Sequence, residues 1–323
     1  MRKSSQVKED TGEMTSAAGA ESRVDRLLSR AIRVTAVLLA FSVVSLAVYW
    51  YGQRYTHATV SMVDRDTEIV EGQIRQQPND PQLRVAVANL YVEKGLYDDA
   101  IAQAEQVLQI SPDDLSAILA LAQAHTKEGK LELAVNYLLR AIELNQDNPM
   151  ARSSLQLALI YQYLGSTYME MGRTEDAVGA FRHSLEIDHT NADTLHMLGN
   201  ALAAQGQIDE AIESYRQALR LVPNFPEVHR DLYRAYERKG DRDLATYAFG
   251  MVRYSAGEYD QAVETLEKAS QALPEMAETH LGLAMAYEKK GRRSEALEEY
   301  RKALALDGGS IAARQGTGRL AGR

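Results

Sequence analysis

The chain carries a repeat of glycine and alanine whose period is constant along most of its length. Seven glycines are each followed five residues later by an alanine, in the pairs Gly95/Ala100, Gly129/Ala134, Gly172/Ala177, Gly206/Ala211, Gly240/Ala245, Gly257/Ala262 and Gly291/Ala296. Successive glycines are 34, 43, 34, 34, 17 and 34 residues apart. Such a period indicates a stack of supersecondary units, each of which buries its apolar face against the next.

Each unit is predicted to be a pair of amphipathic helices, A and B, joined at the glycine. In residues 192–225, apolar and small residues recur every three or four positions on both sides of Gly206, at Leu195, Leu198, Leu202, Ala211, Tyr215 and Ala218. All seven prolines, at 78, 81, 112, 149, 223, 226 and 274, fall at or near unit junctions. Because proline is costly inside a helix, this placement supports the register and predicts an all-α solenoid.

The same positions resemble the tetratricopeptide repeat (TPR) family. The third unit reads Tyr161, Leu164, Gly165, Tyr168, Gly172, Ala177 and Phe181, and the seventh reads Leu283, Ala284, Tyr287, Gly291, Ala296, Tyr300 and Ala303. The resemblance covers about 230 residues and implies a TPR helical-hairpin solenoid of about six to seven repeats. The repeats are placed at 81–114, 115–148, 158–191, 192–225, 243–276 and 277–310.

Two spacings depart from 34 residues. The spacing of 43 implies nine extra residues, Pro149–Leu157, which are either a tolerated insertion or a projecting edge that lengthens the next A helix. The spacing of 17 removes one B helix, and 226–239 is predicted to be a polar capping helix. It would end a first module, 81–242, before a second module, 243–323, whose tail follows residue 310. The alternative is a continuous solenoid in which inner and outer helices exchange roles.

An uncharged run of eighteen residues, 34–51, precedes the repeats. As a helix it would be roughly 27 Å long, close to the thickness of a hydrocarbon core, so a single transmembrane helix is predicted. A buried soluble helix and a cleaved signal peptide are the alternatives, and the 33 residues before the run disfavour the second. Residues 52–80 are assigned to a linker and an N-terminal cap helix.

Arginines predict the orientation of this helix. Four precede it closely and two follow it, at positions 23, 26, 30, 33, 54 and 65. The positive-inside rule then gives a disordered cytoplasmic tail, 1–33, and an extracytoplasmic TPR domain at the plasma (inner) membrane. The opposite orientation, with the TPR domain on the cytoplasmic face, remains the alternative.

Composition and motifs argue against several function classes. There is no cysteine, and residues 34–323 hold 29 Lys+Arg against 40 Asp+Glu, a balance of −11 that disfavours nucleic-acid binding. The chain lacks the motifs of metalloproteases, phosphate loops, nucleophile elbows and dinucleotide sites, and its seven histidines are dispersed. We therefore expect no enzyme activity, no catalytic or metal site, no cofactor and no small-molecule substrate.

The TPR resemblance implies that positions five and nine of each A helix face a concave groove. In the first four repeats this gives Asn89, Gln123, Ser166, His196 and Asn200, and in the capping helix Arg230 and Arg234. In the second module it gives the more apolar Tyr247, Met251 and Met285, which become core instead if the helix roles exchange. A lysine-based clamp for a C-terminal carboxylate is not expected, because no lysine occupies these positions.

Binding of other proteins is the predicted function. The first hypothesis is a membrane-tethered scaffold that holds partner peptides or helices in the concave groove while an envelope complex is assembled. The second is a stoichiometric accessory or regulatory subunit of an integral membrane enzyme.

Overall fold

The computed structural model describes residues 63–146 and 154–322, which are helical apart from short connections. A helix over 63–76, α1, belongs to a compact unit that ends at Gln76, within the range 52–80 where a cap helix is predicted. The second unit, Gln77–Arg323, holds the repeats. Its helices are α2 (Pro81–Glu93), α3 (Tyr97–Ile110), α4 (Leu115–Glu128), α5 (Leu131–Gln146), α6 (Leu155–Glu170), α7 (Thr174–Ile187), α8 (Ala192–Ala204), α9 (Ile208–Leu221), α10 (Pro226–Lys239), α11 (Arg242–Ser255), α12 (Tyr259–Ala272), α13 (Ala277–Lys289), α14 (Arg293–Leu306) and α15 (Ile311–Ala321).

The seven glycines of the repeat are the turns between helices. All have positive φ, between 73° and 83°, a conformation that glycine adopts without steric cost. At Gly129 and Gly240 the glycine is itself the C-cap, and its N–H donates back to a carbonyl of the last turn. The requirement for positive φ therefore explains the sequence register.

The two helices of a hairpin pack closely because one supplies a small residue where the other supplies a ring. A Cβ added at Gly165 on α6 would lie 2.6 Å from a ring carbon of Phe181 on α7. Gly199 and Tyr215 repeat this arrangement in α8 and α9. In α6 and α7 the Ser184 hydroxyl also donates to the Ala158 carbonyl, at 2.8 Å.

Helix α10 is not the end cap that the sequence analysis predicts. Val228 and Leu232 on it are fully buried, and the helix packs against both α9 and α11. One hydrophobic core extends from Ile118 to Ala313 across this point. The predicted division into modules 81–242 and 243–323 is therefore corrected: α11 follows α10 after only two residues and covers the face that a cap would expose.

The half-repeat exchanges the two rows of the solenoid. Successive helices pack side by side, so even-numbered and odd-numbered helices form two rows. In a curved stack the inner row is the closer-packed one. Contacts within a row join α2 to α4, α6 to α8 and α8 to α10, but then join α11 to α13 and α13 to α15. The inner row is thus even-numbered as far as α10 and odd-numbered from α11.

The nine extra residues add little to the helix that follows them. Helix α6 begins at Leu155, where the Ser154 hydroxyl caps it by accepting from the Leu157 N–H at 3.2 Å. With 16 residues it exceeds the 13 of α8 by three, which agrees with a tolerated insertion and not with a projecting helix lengthened by all nine residues. Residues 147–153 of the connection lie outside the described ranges.

The predicted membrane segment, 34–51, and the tail, 1–33, also lie outside the described residues. Among the helices of residues 63–146 and 154–322, none combines the length and the apolar character needed to span a bilayer.

Candidate functional site

The structure brings three of the predicted polar groove residues, His196, Asn200 and Arg234, together with Asp231 at one place on α8 and α10. The His196 Nε2 lies 2.8 Å from the Asp231 carboxylate, and Asn200 lies one turn further along α8. The Asn200 side-chain oxygen accepts a hydrogen bond of 2.7 Å from the Tyr215 hydroxyl. Arg234 donates to Asp231 at 3.1 Å. This group, His196, Asn200, Asp231 and Arg234, is called the polar cluster below.

Asp231 is the member that sequence reasoning missed. Burial opposes its ionisation, but hydrogen bonds and charge from His196 and Arg234 outweigh this and hold its pKa below the usual value. It lies 35 residues after His196, one repeat and one position further. That spacing is the sequence signal, since it places the two residues on adjacent helices of one row.

The remaining predicted positions on the even-numbered helices are not part of the polar cluster. Asn89 on α2 and Arg230 on α10 are exposed, whereas Gln123 on α4 and Ser166 on α6 are half-buried. The Ser166 hydroxyl points to the sulfur of Met197 at 3.5 Å. These residues extend a polar inner surface along α2–α10.

Two of the three predicted apolar groove residues belong to the core. Met251 is 1% exposed and Tyr247 is 5% exposed, so they are not open groove residues. The row exchange accounts for this burial, because α11 follows α10 directly and is covered by α10 on one side and by α12 on the other. Met285 on α13 is half-buried. All three nevertheless meet at one cavity.

A cavity of about 920 Å³ lies between α9, α11 and α13. Much of its apolar lining comes from α11 and α13, with Leu244, Tyr247, Met251, Leu281 and Met285, and α9, α10 and α15 add Leu219, Leu232, Tyr236 and Ile311. Its rim is charged: α9 supplies Arg216 and Arg220, and the segments that precede α13 and α15 supply Glu275 and Asp307. This cavity is called the junction cavity below.

One ion pair joins the two walls of the junction cavity. Arg216 on α9 donates to Glu278 on α13 at 2.6 Å, although the residues are 62 positions apart. The hydrogen bond to Glu278 raises the pKa of Arg216. Burial raises the pKa of Tyr236 to about 12 and also raises that of Tyr247, so both phenols in the lining stay neutral. The arrangement suits binding of a ligand with apolar and charged parts.

Within the two described ranges, no group of three or more histidine or acidic residues is placed to hold a metal ion.

Comparisons with known proteins agree with this geometry. TPR models match residues 91–158, 158–191, 180–213, 199–240 and 247–311. Human Tetratricopeptide repeat protein 13 is 29% identical over 181 residues, covering 47% of this chain and 21% of that protein. Human Superkiller complex protein 3 is 25% identical over 280 residues, covering 74% of this chain and 16% of that protein.

Among solved structures, a MamA RS-1 ArsTM double mutant superposes with a TM-score of 0.50 at 17% identity, over 56% of this chain and 96% of that chain. This likeness concerns the fold. The chain spans about a fifth or less of the length of the two curated relatives. The matches along residues 91–311 and the seven glycine turns show that the chain belongs to the tetratricopeptide repeat family, whose members bind other proteins and take part in complex assembly.

Proposed function

We propose that this protein is a membrane-tethered scaffold that binds peptides or helices of other proteins on its inner TPR surfaces during assembly of an envelope complex. The row exchange at α10 and α11 is the observation that carries the proposal. It gives one solenoid two unlike inner surfaces. The surface along α2–α10 is polar and holds the polar cluster, and the surface along α11–α15 contains the apolar junction cavity.

Two unlike surfaces fit a protein that holds two partners at once. Hydrogen-bonding groups such as Asn200 and Arg234 suit a peptide backbone or a polar segment. The apolar lining of the junction cavity suits a helix with one apolar face. The name of the human relative, Superkiller complex protein 3, places that protein in a complex.

The membrane anchor in this proposal is supported by the sequence alone. The uncharged run 34–51 has the length of a membrane span, and the arginines before it favour a cytoplasmic tail. The repeats would then lie on the outer side of the plasma (inner) membrane. Protease treatment of intact cells tests this: loss of a C-terminal epitope without lysis supports the orientation, and protection until detergent is added contradicts it.

Site-specific photocrosslinking tests the scaffold itself. A benzophenone amino acid is placed at Arg230 on the polar inner surface, at Met285 in the junction cavity and, as a control, at Arg182 on the outer row, where the side chain is 55% exposed. A scaffold gives two different protein adducts from the first two positions, and both partners purify in one complex.

Other adduct patterns contradict the scaffold. A single stoichiometric membrane enzyme crosslinked from both inner positions would favour an accessory subunit instead. Adducts no stronger than those at Arg182 would contradict protein binding on these surfaces.

A further inference from the structure

We propose that the junction cavity binds an amphipathic helix of a partner protein that carries lysine or arginine along one edge. The proposal rests on the proposed function, because it names the kind of partner segment that one of the two inner surfaces accepts. It concerns only the cavity between α9, α11 and α13.

The half-repeat creates this cavity. In an unbroken array an outer-row helix is kept away from the inner surface. Here α9, an outer helix of the preceding repeats, lies in the same row as α11 and α13, which are inner helices of the following ones. The cavity forms over α11, with α9 as one wall and α13 as the other. The junction cavity is therefore bounded by helices on three sides.

The lining favours a helix as the occupant. The volume of about 920 Å³ gives room for side chains of a partner. Met251 and Met285 line it together with Leu281. Methionine side chains adapt to the shape of a partner, and apolar residues at i, i+4 and i+7 of a helix are the usual anchors in such a groove.

The charge at the rim of the junction cavity favours a bound helix whose edge is basic. Arg216 is already paired with Glu278, and Arg220 lies 3.2 Å from Glu213. Among the described residues, Glu275 and Asp307 enter no ion pair, and both are exposed at the rim. The rim charge left for a ligand is therefore negative, like the balance of −11 over residues 34–323. Lysine or arginine along the edge of the bound helix would complement it.

Fluorescence anisotropy with a designed peptide tests the proposal. The probe is a labelled helix of about 18 residues, or five turns, with leucine along one face, lysine along one edge and alanine elsewhere. It is titrated with the whole 323-residue chain in a non-ionic detergent, with empty micelles as the blank. We expect Met285→Glu to weaken binding about tenfold, because a carboxylate in the cavity loses solvation.

The matched control is Leu185→Glu. Leu185 is also half-buried against the core, on α7 of the outer row, so this variant should stay within about twofold of the native chain. Equal binding by the native and Met285→Glu chains, or equal weakening by both variants, would overturn the proposal. Thermal unfolding followed by circular dichroism checks that each variant is folded.

The rim provides a second test, which does not depend on how Met285→Glu folds. Glu275→Lys combined with Asp307→Lys changes only exposed side chains. This chain should bind the lysine-edged probe about tenfold more weakly and prefer a glutamate-edged probe. If the native chain binds both probes equally, the charge assignment is wrong.

Self-association that Met285→Glu abolishes, without binding of either probe, would mean that a second copy fills the cavity. Crosslinks at Arg230 are independent of all these results. They would persist if only this inference fails and would be absent if protein binding itself fails.

Discussion

Close packing of Gly165 against Phe181 makes this glycine sensitive to a single methyl group. In Gly165→Ala the new Cβ would lie 2.6 Å from the Phe181 ring, so the ring or the two helices must shift. We expect a loss of about 1–3 kcal/mol in the free energy of unfolding. Gly179 on α7 is the matched control, because a Cβ there meets nothing within 4 Å. Gly179→Ala should stabilise the chain by up to about 1 kcal/mol. Urea denaturation measures whether the free energy of unfolding falls in Gly165→Ala and rises in Gly179→Ala.

Burial of His229 makes stability depend on pH. Burial lowers the pKa of His229 from its ordinary value of 6.5 to about 4, although the hydrogen bond to the Pro223 carbonyl opposes this. Between these values the unfolded chain binds a proton that the folded chain excludes, so stability falls as pH decreases from 6.5 towards 4. The native chain should lose about 2 kcal/mol between pH 7 and 5 from this residue.

The variant His229→Gln removes the titrating group and keeps a donor for the Pro223 carbonyl. Its stability should fall less between pH 7 and 5 than that of the native chain. Gly179→Ala, which changes no titrating group and meets nothing within 4 Å, should keep the native pH dependence. Urea denaturation at both pH values measures the difference, and equal slopes for the native and His229→Gln chains would contradict the assignment.

Residues whose role is set inside one repeat were predictable from the sequence. The seven turn glycines are confirmed, since positive φ is a local requirement. Asp231 and Arg216 were not foreseen as site residues, because their partners His196 and Glu278 come from other repeats. Tyr247 and Met251 are buried, as the alternative of exchanged helix roles implies; their own repeat could not decide this, since their burial depends on the helices on both sides of α11.

At the scale of elements, the start of α6 depends on one hydroxyl. The Ser154 side chain caps α6 by accepting from the Leu157 N–H. Ser154→Ala should cost about 1 kcal/mol of stability, whereas Ser154→Asp keeps a cap and should stay close to the native value. Thermal unfolding of the pair checks this. Equal stability of both variants would mean that the helix start does not depend on the cap.

The sequence of α10 alone does not decide whether this helix ends a module or lies inside the solenoid. Its arginines and lysine at 230, 234, 238 and 239 are exposed, as a capping helix requires. The same helix buries Val228, Leu232 and Tyr236. A solvated stripe is compatible with an end helix and with an internal one. The decision between them depends on α11, which packs against the rest of the helix and is outside the pattern of α10 itself.

At the scale of the whole molecule, continuity of the core through α10 predicts how the chain responds to a cavity there. Leu232 is fully buried between the helices that precede and follow α10. Leu232→Ala should cost about 2–5 kcal/mol. Because each helix stabilises its neighbours in such an array, amide hydrogen exchange should accelerate in both α9 and α11. Leu133→Ala, at a residue that is 44% exposed on α5, is the control and should change exchange in neither helix.

If Leu232→Ala accelerated exchange in α8 and α9 alone, two separate modules would describe the chain better than one solenoid. The two inner surfaces would then be able to move independently, and a scaffold that holds two partners in fixed relation would need another means of rigidity.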